Sequence, residues 1–259
     1  MVVTDCIGGN LEHELNLLGD LAQVEALAAS SEEDLEGRIE DADAIMVYHC
    51  ISIGARTIDR LERCRLIVRC GAGYDNVDGA AARRRGIPLA NVPDYGTEEV
   101  ADSAIGMTLS LMRGINYLNR RLQREQGEWR YTEIRPVHCL RGRVFGIIGL
   151  GRIGTAAALR AKAIGMEVVY YDPYVPDGRD KSLGVRRVET LEELLAESHI
   201  VSPHCPLTDE THHIVGSEAI SKLRRGAFVV NTSRGGVVDV KAVAEGIASG
   251  QLAGAGIDV

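Results

Sequence analysis

An α/β architecture of two consecutive doubly wound parallel-sheet domains is predicted by three observations. Short apolar runs alternate with amphipathic stretches along the chain, the pattern of βα units. The alternation pauses at a turn-rich stretch, Asn91-Val-Pro-Asp-Tyr-Gly-Thr97, and restarts near residue 143. A long helical stretch lies between the two blocks.

In the first block, strands are expected near 2–7, 23–27, 43–48, 65–69 and 87–90, with helices between them. Ser31-x-x-Asp34 has the form of a capping box with the shorter acid. Thr97 then reads as an N-cap, followed by Glu98 and Glu99, where carboxylates suit the helix dipole. Residues 101, 104, 105, 108, 112, 115, 118 and 122, apolar apart from Thr108, continue one helical face for about six turns. A helix of that length either joins two domains or meets a second copy of the chain. Residues 123–141 are polar and irregular around the single tryptophan, Trp129. The second block holds expected strands near 143–148, 167–172, 199–204, 227–232 and 253–258, and Thr190-Leu-Glu-Glu193 is a full capping box. Its last residues, Gly256-Ile-Asp-Val259, read as a buried parallel strand with no helix after it. Such a strand needs a cover, so further C-terminal residues are expected.

Composition narrows the class. At 45% hydrophobic and 25% charged residues, the 259-residue chain is that of a folded protein rather than a disordered one. No apolar run approaches the roughly 18 residues of a membrane helix, and the N-terminus has no signal-peptide pattern. Six cysteines without a CxxC pair predict reduced thiols and a cytoplasmic location, with no metal site. A net charge of −8 argues against a nucleic-acid surface. The arginine clusters, Arg186-Arg187 among them, read as solvated helix faces or ends.

The strongest local signal is Gly149-Leu-Gly151-Arg152-Ile153-Gly154, which follows an apolar strand and opens a helix. In such a turn the first glycine bends the chain and the second admits a pyrophosphate. The third lets helix and strand pack closely. Asp172 ends the next strand, where a carboxylate can accept both ribose hydroxyls, and no arginine follows at once to receive a 2′-phosphate. NAD is therefore expected over NADP. Three further segments fall at the carboxyl ends of expected strands, the edge where such sheets bind ligands: 70–73, 204–211 and 231–236. Gly71 and Gly73 either expose backbone N–H groups to a carboxylate or form a plain βα turn. Arg234 either clamps a substrate carboxylate or makes a sheet-edge salt bridge.

The runs GAGYDNVD (71–78), the fingerprint at 149–154, HCPLTDET (204–211) and NTSRGGVVD (231–239) resemble the D-isomer-specific 2-hydroxyacid dehydrogenase family in order and spacing. Residues 46–50, 67–70, 171–174 and 226–231 look closest to its C-terminal-binding-protein branch, whose members bind NAD(H) and also act as corepressors. The resemblance implies a flavodoxin-like substrate domain over 1–95 and a Rossmann NAD-binding domain over 96–259, both lacking C-terminal segments. It implies hydride transfer between nicotinamide and C2 of a small 2-oxo or 2-hydroxy acid, in a homodimer. Arg234 would bind the substrate carboxylate and polarise the carbonyl. His49, Arg69, Gly71, Ala72 and Gly73 would line the substrate side. Gly149, Gly151, Arg152, Ile153, Gly154, Asp172, Cys205, Pro206, Thr211, Thr232, Ser233, Arg234 and Asp258 would hold the cofactor. The family's general acid, a histidine oriented by a glutamate, matches none of the seven histidines in this sequence. The competing expectation is an NAD(H)-sensing dimer that presents a surface to partner proteins.

Overall fold

The computed structural model describes residues 1–5, 10–128, 130–134 and 137–259. The chain divides into two compact units, Met1–Gly96 and Thr97–Val259.

The first unit is a five-stranded parallel sheet in the order β2-β1-β3-β4-β5, built from β1 (Val2–Val3), β2 (Glu25–Ala26), β3 (Ile45–Val47), β4 (Ile67–Arg69) and β5 (Leu89–Asn91). Helices α1 (Glu12–Leu18), α2 (Ala55–Arg60) and α3 (Gly79–Arg84) connect them. Strand β3 runs buried, intermediate, buried, as expected of a strand covered on both faces. Leu35, Ile39, Ile45, Ile58, Leu61 and Ile67 form the centre of its core. The strand expected over 2–7 is seen at Val2–Val3, and its residues 6 and 7 lie outside the described residues, as does Trp129. Asp34 Oδ2 accepts from Ser30 N, Ser30 Oγ and Ser31 N, but the turn it closes is a 3₁₀ turn, Glu33–Leu35, rather than an α-helix.

The second unit begins with α4 (Thr97–Arg113) and α5 (Ile115–Gln123). The expected six-turn helix is thus broken at Gly114, which takes the left-handed conformation at φ 64°. A sheet of six parallel strands follows in the order β11-β10-β9-β6-β7-β8. Its strands are β6 (Val144–Ile148), β7 (Glu167–Tyr171), β8 (Arg186–Arg187), β9 (Ile200–Pro203), β10 (Ala227–Asn231) and β11 (Leu252–Ile257). Helices α6 (Arg152–Ala163), α7 (Arg179–Leu183), α8 (Leu191–Glu197), α9 (Ser217–Lys222) and α10 (Val240–Ala248) connect them. Arg186 and Arg187 are not on a helix, as expected from their charge, but form an edge strand. Their guanidinium groups pair with Glu197 and Asp177, so the charge is spent on the strand's exposed flank. Thr190 caps α8 by accepting from Glu193 N, while Glu193 reaches one residue further back than a full box, to Glu189 N.

Helix α4 packs on the second sheet. Ala104, Ile105 and Met112 share a buried cluster with Phe145, Ile147, Phe228 and Val230. Gly254 and Gly256 of β11 let it approach, since a Cβ on Gly256 would lie 2.9 Å from Met107 Sδ. Strand β11 is an edge strand in which Leu252 alone is buried, so it is less enclosed than expected. Among the described residues no helix is long and apolar enough to cross a membrane. The expectation of uniformly reduced thiols is corrected, because Cys50 is disulfide-bonded whereas Cys64, Cys70, Cys139 and Cys205 are free.

Candidate functional site: a dinucleotide cradle and a buried arginine

In the second sheet the chain runs outward from β6 through β7 to β8, then returns to lay β9, β10 and β11 on the other side. The point of reversal, between β6 and β9, is where open α/β sheets bind ligands at their carboxyl edge. Gly149 makes the turn after β6 at φ 92°, where a side chain would be strained. A Cβ there would also stand 3.0 Å from Cys205 N, so the two strand ends close on each other at this glycine. At Gly154 a Cβ would meet Gly149 O at 2.1 Å, so α6 packs directly on the turn. At Gly151 a Cβ would meet nothing within 4 Å. The first and third glycines are therefore demanded by the protein's own backbone. The second leaves an open approach to the N-terminus of α6, where the exposed Arg152 and the half-buried Ile153 begin the helix.

Asp172 lies just past β7. Its Oδ2 accepts from Leu150 N at 2.7 Å and its Oδ1 from Tyr174 N at 2.9 Å. A carboxylate has about four acceptor positions, so the two backbone donors orient the group and leave two positions for ribose hydroxyls. Around the end of β9, Cys205 and Thr211 are half-buried and Pro206 is exposed. Burial, with the charge of Asp172 adding to it, pushes the Cys205 thiol up to about 11, so it stays protonated at neutral pH. Burial alone pushes His204 down to about 4, leaving a neutral imidazole. Its Nε2 meets Ser202 Oγ at 3.0 Å, while its Nδ1 is sealed from solvent without a partner among the described residues.

At the end of β10, Asn231 ties the turn. Its Oδ1 accepts from Ser233 N and Ser233 Oγ, and its Nδ2 donates to Arg234 O. Arg234 Nη1 donates to Ser233 O at 2.8 Å, and Asp258 N donates to Asn231 O at 3.0 Å. Thr232 is buried with its Oγ1 unpartnered. The cofactor-side residues named from sequence thus fall at the carboxyl ends of β6, β7, β9, β10 and β11 of one sheet. The orphaned Thr232 hydroxyl, the open face of Gly151 and the oriented Asp172 fit a dinucleotide.

In the first sheet, β1 and β3 mark the corresponding reversal. Asp5, fully buried just past β1, accepts from Tyr48 N at 2.8 Å and Cys50 N at 2.7 Å, holding the loop that carries the exposed His49. Arg69 ends β4 with only 7% of its surface exposed. A Cβ on Gly71 would fall 1.5 Å from Arg69 Nη1, so the guanidinium occupies the place of the missing side chain. Its Nε donates to Asn76 Oδ1 at 3.4 Å, and among the described residues no carboxylate pairs with it. Asn76 Nδ2 donates to Tyr48 O and Ile51 O, joining this loop to the one held by Asp5. Ala72 O accepts from Asn91 Nδ2, and Gly73 is half-buried beside it. Sequence reasoning passed over Asp5, Asn76 and Asn231. Asp5 and Asn76 bond backbone groups 25 or more residues away in sequence, whereas Asn231 ties the turn that follows it. The one available signal is the residue type in that position.

A parallel six-stranded sheet with this turn and this carboxylate defines a dinucleotide-binding Rossmann domain. Residues 105–259 match the model of the D-isomer specific 2-hydroxyacid dehydrogenase NAD-binding domain. The chain belongs to that family, and the cofactor of its second unit is NAD. It is 36% identical over 248 residues to D-3-phosphoglycerate dehydrogenase of Methanocaldococcus jannaschii, covering 96% of this chain and 47% of that protein. It is 32% identical over 257 residues to C-terminal-binding protein 1 of Caenorhabditis elegans, covering 97% and 35% respectively. The chain therefore spans about half the length, or less, of these curated relatives. Among solved structures, D-lactate dehydrogenase from Aquifex aeolicus, complexed with NAD and lactic acid, superposes with a TM-score of 0.88 at 28% identity. That match covers 100% of this chain and 76% of the other. Glyoxylate reductase from Paecilomyes thermophila gives 0.89 at 28% identity, covering 100% and 80%.

Proposed function

We propose that this protein transfers hydride between NAD(H) and C2 of a small 2-oxo or 2-hydroxy acid. The observation that carries the reading is a pairing within one chain. One parallel sheet ends in a dinucleotide cradle, and the other ends in Arg69, a buried guanidinium with no carboxylate partner among the described residues. A charge held out of water needs a counter-ion, and a substrate carboxylate is one. Bound NAD supplies the hydride acceptor or donor. Asp172 orients the ribose, and the α6 N-terminus receives the pyrophosphate. Arg234, on the turn braced by Asn231, binds the substrate carboxylate with its planar fork and polarises the carbonyl. Asp5 and Asn76 hold the loops that present His49 and Arg69. Similarity to lactate, glyoxylate and phosphoglycerate dehydrogenases supports this class of substrate.

The test is NADH oxidation with glyoxylate, hydroxypyruvate and a long-chain 2-oxo acid, in wild type and Arg234→Lys. In a form that also carries the family's general acid, turnover of at least one 2-oxo acid is expected, with kcat/KM falling on the order of 100-fold in the variant, because a point charge cannot replace a fork. Near-normal turnover in Arg234→Lys would remove that residue from the mechanism.

The 32% identity with C-terminal-binding protein 1 favours a second reading, an NAD(H)-sensing protein that binds partners. Partner capture that requires NADH and survives loss of Arg234, without turnover of any acid, would select it. A homodimer is part of the proposal under both readings. It is supported by α5, where Ile115, Tyr117 and Leu122 are each about half exposed, and sedimentation equilibrium tests it.

A further inference from the structure

Two carboxylates at the β7 side of the cradle are tied together by one residue. Tyr174 donates its backbone N–H to Asp172 Oδ1 at 2.9 Å and its hydroxyl to Glu210 Oε2. The bond joins the turn after β7 to the loop after β9, although Tyr174 itself is 75% exposed. Glu210 stands on a stiff support. Thr211 Oγ1 accepts from Thr208 N at 2.8 Å and donates to Pro206 O at 2.6 Å, and His212 N donates to Thr208 O at 2.9 Å. Residues 206–212 thus form a ring braced from within, and Glu210 projects from it towards Tyr174. Among the described residues neither Asp172 nor Glu210 has an ion-pair partner. Arg179, the nearby cation by sequence, turns away to donate to Thr155 Oγ1 on α6 at 3.1 Å.

We propose that Glu210, clasped by Tyr174, is a second determinant of cofactor choice, which with Asp172 makes the ribose end of the cradle doubly anionic and rejects the 2′-phosphate of NADP. The proposal rests on Asp172 facing the adenine ribose. A ribose 2′-hydroxyl donates to Asp172 and carries no charge. A 2′-phosphate carries nearly two negative charges at neutral pH and offers Asp172 no proton. Repulsion from the second carboxylate, linked to the first through Tyr174 on partly exposed surface, corresponds to about tenfold in affinity. The hydroxyl of Tyr174 stays protonated as the clasp requires, because its hydrogen bond to Glu210 and the charge of that carboxylate push its pKa up.

The experiment is a fluorescence titration of NADH and NADPH into wild type, Glu210→Gln, Tyr174→Phe and Asp172→Ala. Glutamine keeps an acceptor for Tyr174 and removes the charge. Glu210→Gln is expected to tighten NADPH about tenfold at low ionic strength while NADH moves less than twofold, with the gain shrinking in high salt as charges are screened. Tyr174→Phe, which frees Glu210 without removing it, is expected to relax discrimination by a few-fold. Equal changes for both cofactors in Glu210→Gln would make Glu210 a loop brace and overturn the proposal. An unchanged NADPH affinity would leave discrimination to Asp172 alone and overturn it equally. Unchanged NADH affinity in Asp172→Ala would show instead that the ribose lies elsewhere, a failure of the underlying reading that the same titration separates.

Discussion

Asp172 shows how the fold can orient one side chain through backbone donors. Its two oxygens are oriented by Leu150 N and Tyr174 N, so its remaining acceptor positions are aimed before any ligand arrives. Asp172→Ala should weaken NADH binding at least tenfold, since hydrogen bonds to a charged group each contribute about 1.5–3 kcal/mol. Fluorescence titration measures it, and the variant's unfolding midpoint reports any loss from the freed N–H groups. At this scale the glycines and Asp172 were legible in sequence, because a tight turn, a close helix approach and a strand-end acid each demand a particular residue type. Asp5, Asn76 and Asn231 were not. Asp5 and Asn76 take backbone partners from other loops, as with Asp5 and Cys50 N, 45 residues apart in sequence, and Asn231 ties its own turn. Glu210 was read only as one letter of a motif, because its significance comes from Tyr174, 36 residues away.

At the scale of elements, the longest predicted helix is the instructive case. The apolar positions from 101 to 122 keep a helical period, yet the chain breaks at Gly114. A Cβ at that position would lie 2.5 Å from Ile134 Cγ2, and the backbone is left-handed. Periodicity reports which side chains are apolar and says nothing of whether a single residue has turned over. Gly114→Ala combines strained φ with a steric clash and should destabilise the protein by about 1–3 kcal/mol, read as a lower denaturant midpoint at unchanged slope. A variant as stable as wild type would show that the break is not required. The remaining strands were mostly legible, with ends displaced by at most two residues apart from the C-terminal end of β1. The exception is β8, a two-residue edge strand, whose paired arginines resemble any solvated pair until their neighbours are known.

For the molecule as a whole, acid works against two buried or half-buried histidines. His199 and His204 are both held near pKa 4 against an ordinary 6.5: His199 by burial with Arg143 and Arg224 beside it, His204 by burial. An unfolded chain takes up protons on these rings near 6.5, whereas the folded chain takes them up only near 4. Between those values the unfolded state binds more protons, so stability is full above 6.5 and declines as pH falls towards 4. Denaturant midpoints should therefore drop from about pH 7 to about pH 4.5, and the drop should be smaller in the double variant His199→Gln, His204→Gln. An identical slope in the double variant would assign the acid sensitivity to carboxylates instead.

What the sequence by itself determined was the order of βα units, the parallel character of both sheets and the family. These follow from periodicity, turn chemistry and motif spacing, all of which are local. Tertiary structure alone decided strand order, the turnover at Gly114, the disulfide at Cys50 and the bracing of each strand-end loop by Asp5, Asn76 and Asn231. It also decided that Arg69 is buried against Gly71, without a carboxylate partner among the described residues, and that Tyr174 clasps Glu210. The reason is physical. A hydrogen bond or a missing counter-ion depends on what lies within a few ångströms in space, and in a doubly wound sheet those neighbours come from strands tens of residues apart.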